Sequence, residues 1–177
     1  MSDWIDLQRR LVPVDQPYAM ELSEVAWFTP PHALTWEEVL NASCVVVLGE
    51  AGSGKTSELR GQAERLRTAG RAAFFLRIED LAKDGFPTAV EGDPSVIDKW
   101  KNGSETGWFF LDSVDEAKLT KESLERAIAK LRGALTGQLA RCHVVVSSRH
   151  SDWGKGDEEC VRRLAPSLVI PPVQLPR

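Results

Sequence analysis

The sequence has few cysteines and no excess of basic residues, and so lacks the features typical of secreted, metal-binding or nucleic-acid-binding proteins. Three cysteines occur among 177 residues, an odd number without CxxC spacing, which predicts a reducing, cytoplasmic setting. Cys44 and Cys142 lie in apolar runs, which predicts that they are small buried side chains rather than metal ligands. Lys and Arg number 22 against 26 Asp and Glu, a net charge of -4. This balance supplies no basic field for a polyanion and argues against nucleic acid as the main partner.

Long hydrophobic runs are also missing. No apolar stretch approaches the roughly 20 residues of a membrane span, and the start, Met1-Ser2-Asp3-Trp4, does not resemble a signal peptide. The chain has no internal repeat and no low-complexity tract. Hydrophobic residues make up 42% and charged residues 27%, as is typical of a soluble globular protein. We therefore expect one cytoplasmic domain with a sizeable core and no membrane partner.

The chain divides by composition into two parts. Residues 1–41 contain four prolines and no clean periodicity, which predicts an irregular arm. One short helix is expected near residues 3–10, and Thr35-Trp36-Glu37-Glu38 has the pattern of a capping box that begins another. Residues 42–177 form the predicted second part, a nucleotide-binding domain.

Near-continuous apolar runs alternate with helical patterns through the second part. The runs predict strands at 44–48, 72–76, 108–111 and 143–147, with a weaker fifth at 168–170. Strands that are apolar at every position are typical of a parallel sheet covered on both faces. The alternation therefore predicts an α/β fold with a doubly wound, five-stranded parallel sheet.

The most specific motif directly follows the first predicted strand. The run Gly49-Glu50-Ala51-Gly52-Ser53-Gly54-Lys55-Thr56 matches the P-loop pattern G-x-x-x-x-G-K-[ST], and a helix is expected over 57–68. Its glycines allow successive N–H groups to converge on one anion, and the helix N-terminus adds further donors. The pattern assigns Lys55 to the β- and γ-phosphates and Thr56 to Mg²⁺. The expected nucleotide-binding residues are Gly49, Glu50, Ala51, Gly52, Ser53, Gly54, Lys55, Thr56 and Ser57.

Acidic residues follow the third predicted strand. Asp112 stands at its carboxyl end, where a carboxylate can help to bind Mg²⁺, partly through water. Hydrolysis also requires a group that orients or deprotonates the attacking water. Asp115 and Glu116 lie on the next turn, and both are candidates. The phosphate loop upstream favours this interpretation over a merely polar helix start.

A third polar segment, Ser147-Ser148-Arg149, ends the fourth predicted strand. The carboxyl ends of parallel strands meet at one edge of a sheet, so Arg149 should face the same crevice as the P-loop. Its guanidinium could contact a γ-phosphate and report its presence. A surface arginine in a loop is the alternative interpretation.

Together these segments resemble the STAND class of P-loop ATPases, and the NACHT family within it. The specific likeness is an apolar strand followed by Asp112-Ser113-Val114-Asp115-Glu116. Ser147-Ser148-Arg149 is similar to the family's Thr-Ser-Arg sensor. The resemblance covers about residues 42–171. It implies a five-stranded sheet with the P-loop strand between the fifth and fourth strands, and ATP or ADP with Mg²⁺ as ligands.

The resemblance further implies a signalling switch that opens on nucleotide exchange, forms homo-oligomers and activates an effector, in bacteria often for antiphage defence. Family members continue into helical and winged-helix domains, whereas this sequence ends at Arg177. We therefore expect either a fragment of a larger assembly or a module of reduced function, and the abrupt end favours the fragment.

Two other functions remain open. The size fits a P-loop small-molecule kinase, although the nearest candidate for an arginine-rich lid, Arg162-Arg163, fits a solvated helix face better. The second open function is a non-catalytic interaction module that binds nucleotide as a structural ligand. A GTPase is disfavoured because no Asn-Lys-x-Asp motif occurs.

Overall fold

Six strands form one sheet in the computed structural model, which describes residues 9–14, 33–93, 95–112, 121–164 and 173–175. The strands are β1 (Val12–Pro13), β2 (Cys44–Leu48), β3 (Ala72–Arg77), β4 (Gly107–Asp112), β5 (Cys142–Ser148) and β6 (Val173–Gln174). Their order across the sheet is β1-β6-β2-β5-β4-β3. All neighbours from β6 to β3 are parallel, which confirms the predicted doubly wound α/β class.

The expectation of five strands is wrong, because the described part of the sheet has six. The additional strand, β1, comes from the arm that was expected to be irregular. It pairs antiparallel with β6, Val12 opposite Gln174 and Pro13 opposite Val173. Two residues are too few to show a period in sequence, and a proline is tolerated at a sheet edge because its missing N–H is not needed there.

Two other predicted elements fall wholly or partly outside the described residues. The weak fifth strand at 168–170 lies entirely outside them. The described strand that pairs with β2 on that side is β6. Of the helix expected near residues 3–10, only Arg9 and Arg10 are described, and they belong to no helix or strand. The division of the chain after residue 41 stays a prediction.

Six α-helices accompany the described strands, besides a 3-10 turn at Leu139–Arg141. They are α1 (Trp36–Leu40), α2 (Lys55–Thr68), α3 (Ile78–Asp84), α4 (Ser95–Asn102), α5 (Lys121–Ala134) and α6 (Lys155–Arg162). The predicted capping box of α1 is confirmed: the Glu38 N–H donates to the Thr35 hydroxyl, and the Thr35 N–H donates to the Glu38 carboxylate. The Thr35 hydroxyl also donates to the Glu38 carboxylate. The bonds from the Thr35 N–H and then from its hydroxyl lower the pKa of Glu38. None of the described helices has the length and apolarity required to cross a membrane.

Two hydrophobic clusters cover the two faces of the sheet. In β2, Cys44, Val46 and Leu48 face one cluster, whereas Val45 and Val47 face the other. The first cluster includes residues of α3, α4, α5 and α6, and the second includes residues of α1 and α2. Each central strand is therefore buried on both sides, which explains why its sequence is apolar at every position.

A tryptophan side chain packs against the amino end of β4. Trp100 on α4 is 2% exposed, and its ring makes edge contacts with Phe74 and Phe109. The Arg141 guanidinium lies 4.0 Å from the Trp100 ring centre. A Cβ at Gly107 would lie 2.6 Å from Trp100 Cε2, well inside van der Waals contact. Glycine at 107 is therefore what allows this ring to approach the strand so closely.

We predict that Gly107→Ala destabilises the protein by about 1–3 kcal/mol, because the added methyl forces the ring or the strand to move. Gly133→Ala is the matched control: Gly133 lies on α5 with nothing within 4 Å of its Cβ position. That substitution should stabilise by about 0.5–1 kcal/mol, since alanine is the better helix former. Urea unfolding measures both, and equal effects of the two substitutions would contradict this account.

All three cysteines are buried, and none forms a disulfide within the described structure. Cys44 is 1%, Cys142 3% and Cys160 2% exposed, which confirms the expectation for Cys44 and Cys142. Burial raises the pKa of the Cys44 and Cys142 thiols to about 12, while Arg162 and Arg141 respectively act in the opposite direction. Both groups are therefore neutral, apolar core side chains in the folded protein.

Because a thiolate is the reactive form, we expect the native protein at pH 8 to react negligibly with a chromogenic disulfide reagent. In denaturing urea all three thiols should react. The free energy of unfolding should be insensitive to the Cys44 and Cys142 thiols below their unfolded pKa of about 8.5. It should fall as the pH rises above that value, since only the unfolded chain then loses these two protons. Rapid labelling of a native thiol at pH 8 would contradict the prediction.

Candidate functional site

A tight loop connects β2 to α2. The Ser53 N–H donates to the Glu50 carbonyl over 3.1 Å and closes a turn. Gly52 and Gly54 have φ of 74° and 86°, in the left-handed region that favours glycine. The Glu58 N–H donates to the Gly54 carbonyl over 2.9 Å, which begins α2 at Lys55, two residues before the predicted start. The P-loop pattern is thus built as strand, glycine turn and helix.

Position 49 requires glycine because neighbouring side chains leave no room for a Cβ, and not because of its backbone φ. A Cβ there would lie 2.7 Å from Ser53 Oγ and 3.3 Å from Lys55 Cδ. The Gly49 N–H donates to the Ser148 carbonyl over 3.1 Å, which joins the start of the loop to the end of β5. The Ser53 and Lys55 side chains therefore pack directly against the Gly49 backbone and leave no room for a side chain at 49.

The Lys55 side chain turns back towards the start of the loop. Its Nζ donates to the carbonyls of Gly49 at 2.6 Å and Glu50 at 3.0 Å, and the residue is only 6% exposed. A buried ammonium needs hydrogen bonds to offset lost hydration. Thr56 is half-buried and Ser57 exposed, both in the first turn of α2. A positive charge and helix N–H groups thus lie at one place, a combination suited to an anion.

Asp112 ends β4 and is fully buried. The Ser147 hydroxyl donates to Asp112 Oδ1 over 2.5 Å. The other oxygen, Oδ2, is buried and has no hydrogen-bond partner among the described residues. A buried carboxylate in such a setting is costly. The free oxygen therefore has the capacity to accept a further donor or to bind a cation.

The strand order brings these groups to one edge of the sheet. β5 lies between β2 and β4, with Ser147 opposite Val47 and Val146 opposite Leu111. Arg149 directly follows β5 at the same edge and is half-buried. The P-loop, Asp112 and Arg149 therefore lie at the same edge of the sheet, and their joint role stays a prediction. Asp115 and Glu116 lie outside the described residues.

Two contributors were not predicted from sequence. The sequence indicates Ser147 only as part of the Ser147-Ser148-Arg149 segment. Its hydrogen bond to Asp112 depends on the register of β4 and β5. Arg9, in the arm, donates from Nη1 to the Ser53 carbonyl over 2.7 Å. No motif surrounds Arg9, and only the folded chain brings it to the P-loop.

The residues present fit a nucleotide phosphate and Mg²⁺. The left-handed conformations of Gly52 and Gly54 and the buried Lys55 ammonium suit a phosphate group. The unpartnered oxygen of Asp112 is a hard ligand of the kind that Mg²⁺ prefers. No group of three His, Cys, Asp or Glu among the described residues could hold a metal. Mg²⁺ commonly takes only one or two carboxylates and completes its shell with water and phosphate.

The sheet topology and the loop between β2 and α2 are those of a P-loop NTPase fold. No known family model and no curated protein sequence matches the chain. Among solved structures, it is similar to a DNA replication initiation factor at 14% identity and a TM-score of 0.49, over 80% of this chain and 43% of that one. It is also similar to AMPPCP-bound DnaA from Aquifex aeolicus at 14% identity and 0.48, over 79% and 44%. The chain thus spans less than half the length of either structure.

Proposed function

We propose that this chain binds ATP with Mg²⁺ and hydrolyses it slowly, as the nucleotide-binding part of a STAND-type signalling switch. The observation that carries the proposal is the loop from Gly49 to Thr56. Its two left-handed glycines, the close packing of Ser53 and Lys55 against Gly49 and the inward-turned Lys55 ammonium support a role as a phosphate cradle. ADP would bind the same loop after hydrolysis.

Each expected site residue has a role in this proposal. The loop residues Gly49 to Gly54 and the first residues of α2, Lys55 to Ser57, would hold the phosphates through backbone N–H groups and the Lys55 ammonium. Thr56 and Asp112 would hold Mg²⁺, which supplies charge neutralisation at the phosphates when bound. Ser147 keeps Asp112 in place through its hydrogen bond.

The hydrolytic step is assigned to residues after β4 and β5. Asp115 or Glu116 would orient the attacking water, and Arg149 would contact the γ-phosphate. The location of Arg149 at the same sheet edge as the P-loop supports its part. Asp115→Asn and Glu116→Gln, assayed separately for phosphate release, would distinguish the two acids.

The narrower assignment to the STAND class, and to a NACHT-like domain within it, depends on two sequence resemblances. They are Asp112-Ser113-Val114-Asp115-Glu116 and Ser147-Ser148-Arg149. The strand order supports it, because β2 lies between β6 and β5 as the resemblance implies. Partner domains, homo-oligomerisation, a cytoplasmic location and a defence role belong to the same proposal. Product analysis with candidate acceptors tests the kinase alternative.

Lys55→Ala should weaken ATP binding about 10- to 100-fold, since a hydrogen bond to a charged group contributes roughly 1.5–3 kcal/mol. Lys99→Ala is the matched control, because it removes the same charge from an exposed position on α4. Isothermal titration with ATP and Mg²⁺ measures both. ATP binding that is equal in the wild type and Lys55→Ala would contradict the proposed function. Binding without any phosphate release would favour the non-catalytic module.

Asp112→Asn should remove most of the gain in ATP affinity that Mg²⁺ produces, while affinity in EDTA stays within about twofold of wild type. The amide keeps the shape and can still accept from Ser147, but it lacks the negative charge that attracts the cation. Asp98→Asn, an exposed change on α4, is the control. Titrations with and without Mg²⁺ measure the difference, and an unchanged Mg²⁺ effect in Asp112→Asn would exclude this residue as a ligand.

A further inference from the structure

The described arm contributes one side chain to the P-loop. Arg9 Nη1 donates to the Ser53 carbonyl over 2.7 Å, across 44 positions of sequence. The same Nη1 lies 3.7 Å from where a Cβ of Gly54 would be. The guanidinium therefore rests directly against the Ser53–Gly54 peptide, between the two left-handed glycines.

The sheet holds Arg9 at this place. Two residues after it, Leu11 exchanges two backbone hydrogen bonds of 2.7 Å with Leu34. Val12 then pairs with Gln174 of β6, and Gln174 pairs with Leu48 of β2. Leu48 directly precedes Gly49. Arg9 is thus tied through two strands to the residue that begins the P-loop.

The contact has a consequence for the phosphate donors. The carbonyl and the N–H of one trans peptide point in opposite directions. A hydrogen bond that fixes the Ser53 carbonyl towards Arg9 therefore aims the Gly54 N–H away from Arg9. Glycine at 52 and 54 makes the loop conformationally permissive, so this peptide can rotate unless something outside the loop holds it.

We propose that Arg9 is a positioning residue of the phosphate loop, which holds the Ser53 carbonyl so that the Gly54 N–H is preorganised for a nucleotide phosphate. This inference rests on the proposed nucleotide-binding function. It adds a requirement that the loop motif does not contain: the arm must be paired in the sheet for the loop to bind phosphate at full affinity. A donor held in its bound orientation beforehand lowers the cost of binding.

The test compares ATP affinity among three variants of the whole chain. Arg9→Met keeps much of the side-chain length but removes every donor. Arg9→Lys restores one donor, which is what a single carbonyl requires. Arg10→Met is the matched control, because it removes the same charge from the next residue, which lies beside Thr35 and Glu38 instead of the P-loop. Calorimetry gives the affinities, and urea unfolding without nucleotide gives the stability of each variant.

We expect Arg9→Met to weaken ATP binding about tenfold, Arg9→Lys to recover most of that loss, and Arg10→Met to stay within about twofold of wild type. Equal ATP affinity in Arg9→Met and wild type overturns the inference. Equal losses in Arg9→Met and Arg10→Met also overturn it, since a general loss of charge would then explain both.

The stability measurement separates positioning from folding. If Arg9→Met unfolds more easily, Arg9→Lys decides: recovered ATP affinity supports the inference, and a folded Arg9→Lys that binds as weakly as Arg9→Met overturns it. A wild-type chain that binds no ATP contradicts the proposed function itself. A wild type that binds, with Arg9→Met equal to it, contradicts only the role of Arg9.

Discussion

The register of β2 between β5 and β6 is the constraint on which the rest of the site depends. It places the Gly49 N–H on the Ser148 carbonyl and the Leu175 N–H on the Leu48 carbonyl, so the P-loop begins at a fixed point between two neighbours. Alternate side chains of β2 are packed into two different clusters, and a slip of one residue would send each side chain to the wrong face. The apolar core thereby determines where the polar site forms.

The site itself works against folding stability. Lys55 and Asp112 are both buried charged groups, and Oδ2 of Asp112 and Oγ of Ser53 are buried without hydrogen-bond partners among the described residues. Buried polar groups of this kind cost free energy unless they are satisfied. Their gathering at the carboxyl edge of a well-packed parallel sheet is understandable if a ligand satisfies them, because binding to the folded state returns part of that cost.

Much of the central sheet could be predicted from sequence, because its strands are short and apolar throughout. The first predicted strand, 44–48, has the observed bounds, and the predictions for β3, β4 and β5 are wrong by no more than one residue at either end. The failures have a common cause. β1 has only two residues, and its pairing depends on β6, which is more than 150 positions away and contains no strong apolar run. The shared edge of the P-loop, Asp112 and Arg149 was predictable, since each lies at the carboxyl end of a strand whose direction the parallel fold dictates.

The sequence by itself determined the strand–turn–helix unit that contains the P-loop. Its glycines, its preceding apolar run and its following helix are neighbours in the chain, and local backbone preferences act between neighbours. Only the tertiary structure decided that Ser147 donates to Asp112 and that Arg9 holds the Ser53 carbonyl. Those contacts join residues 35 and 44 positions apart. They form only after hydrophobic burial on both faces of the sheet has set the strand register, and neither residue lies in a local pattern that encodes its partner.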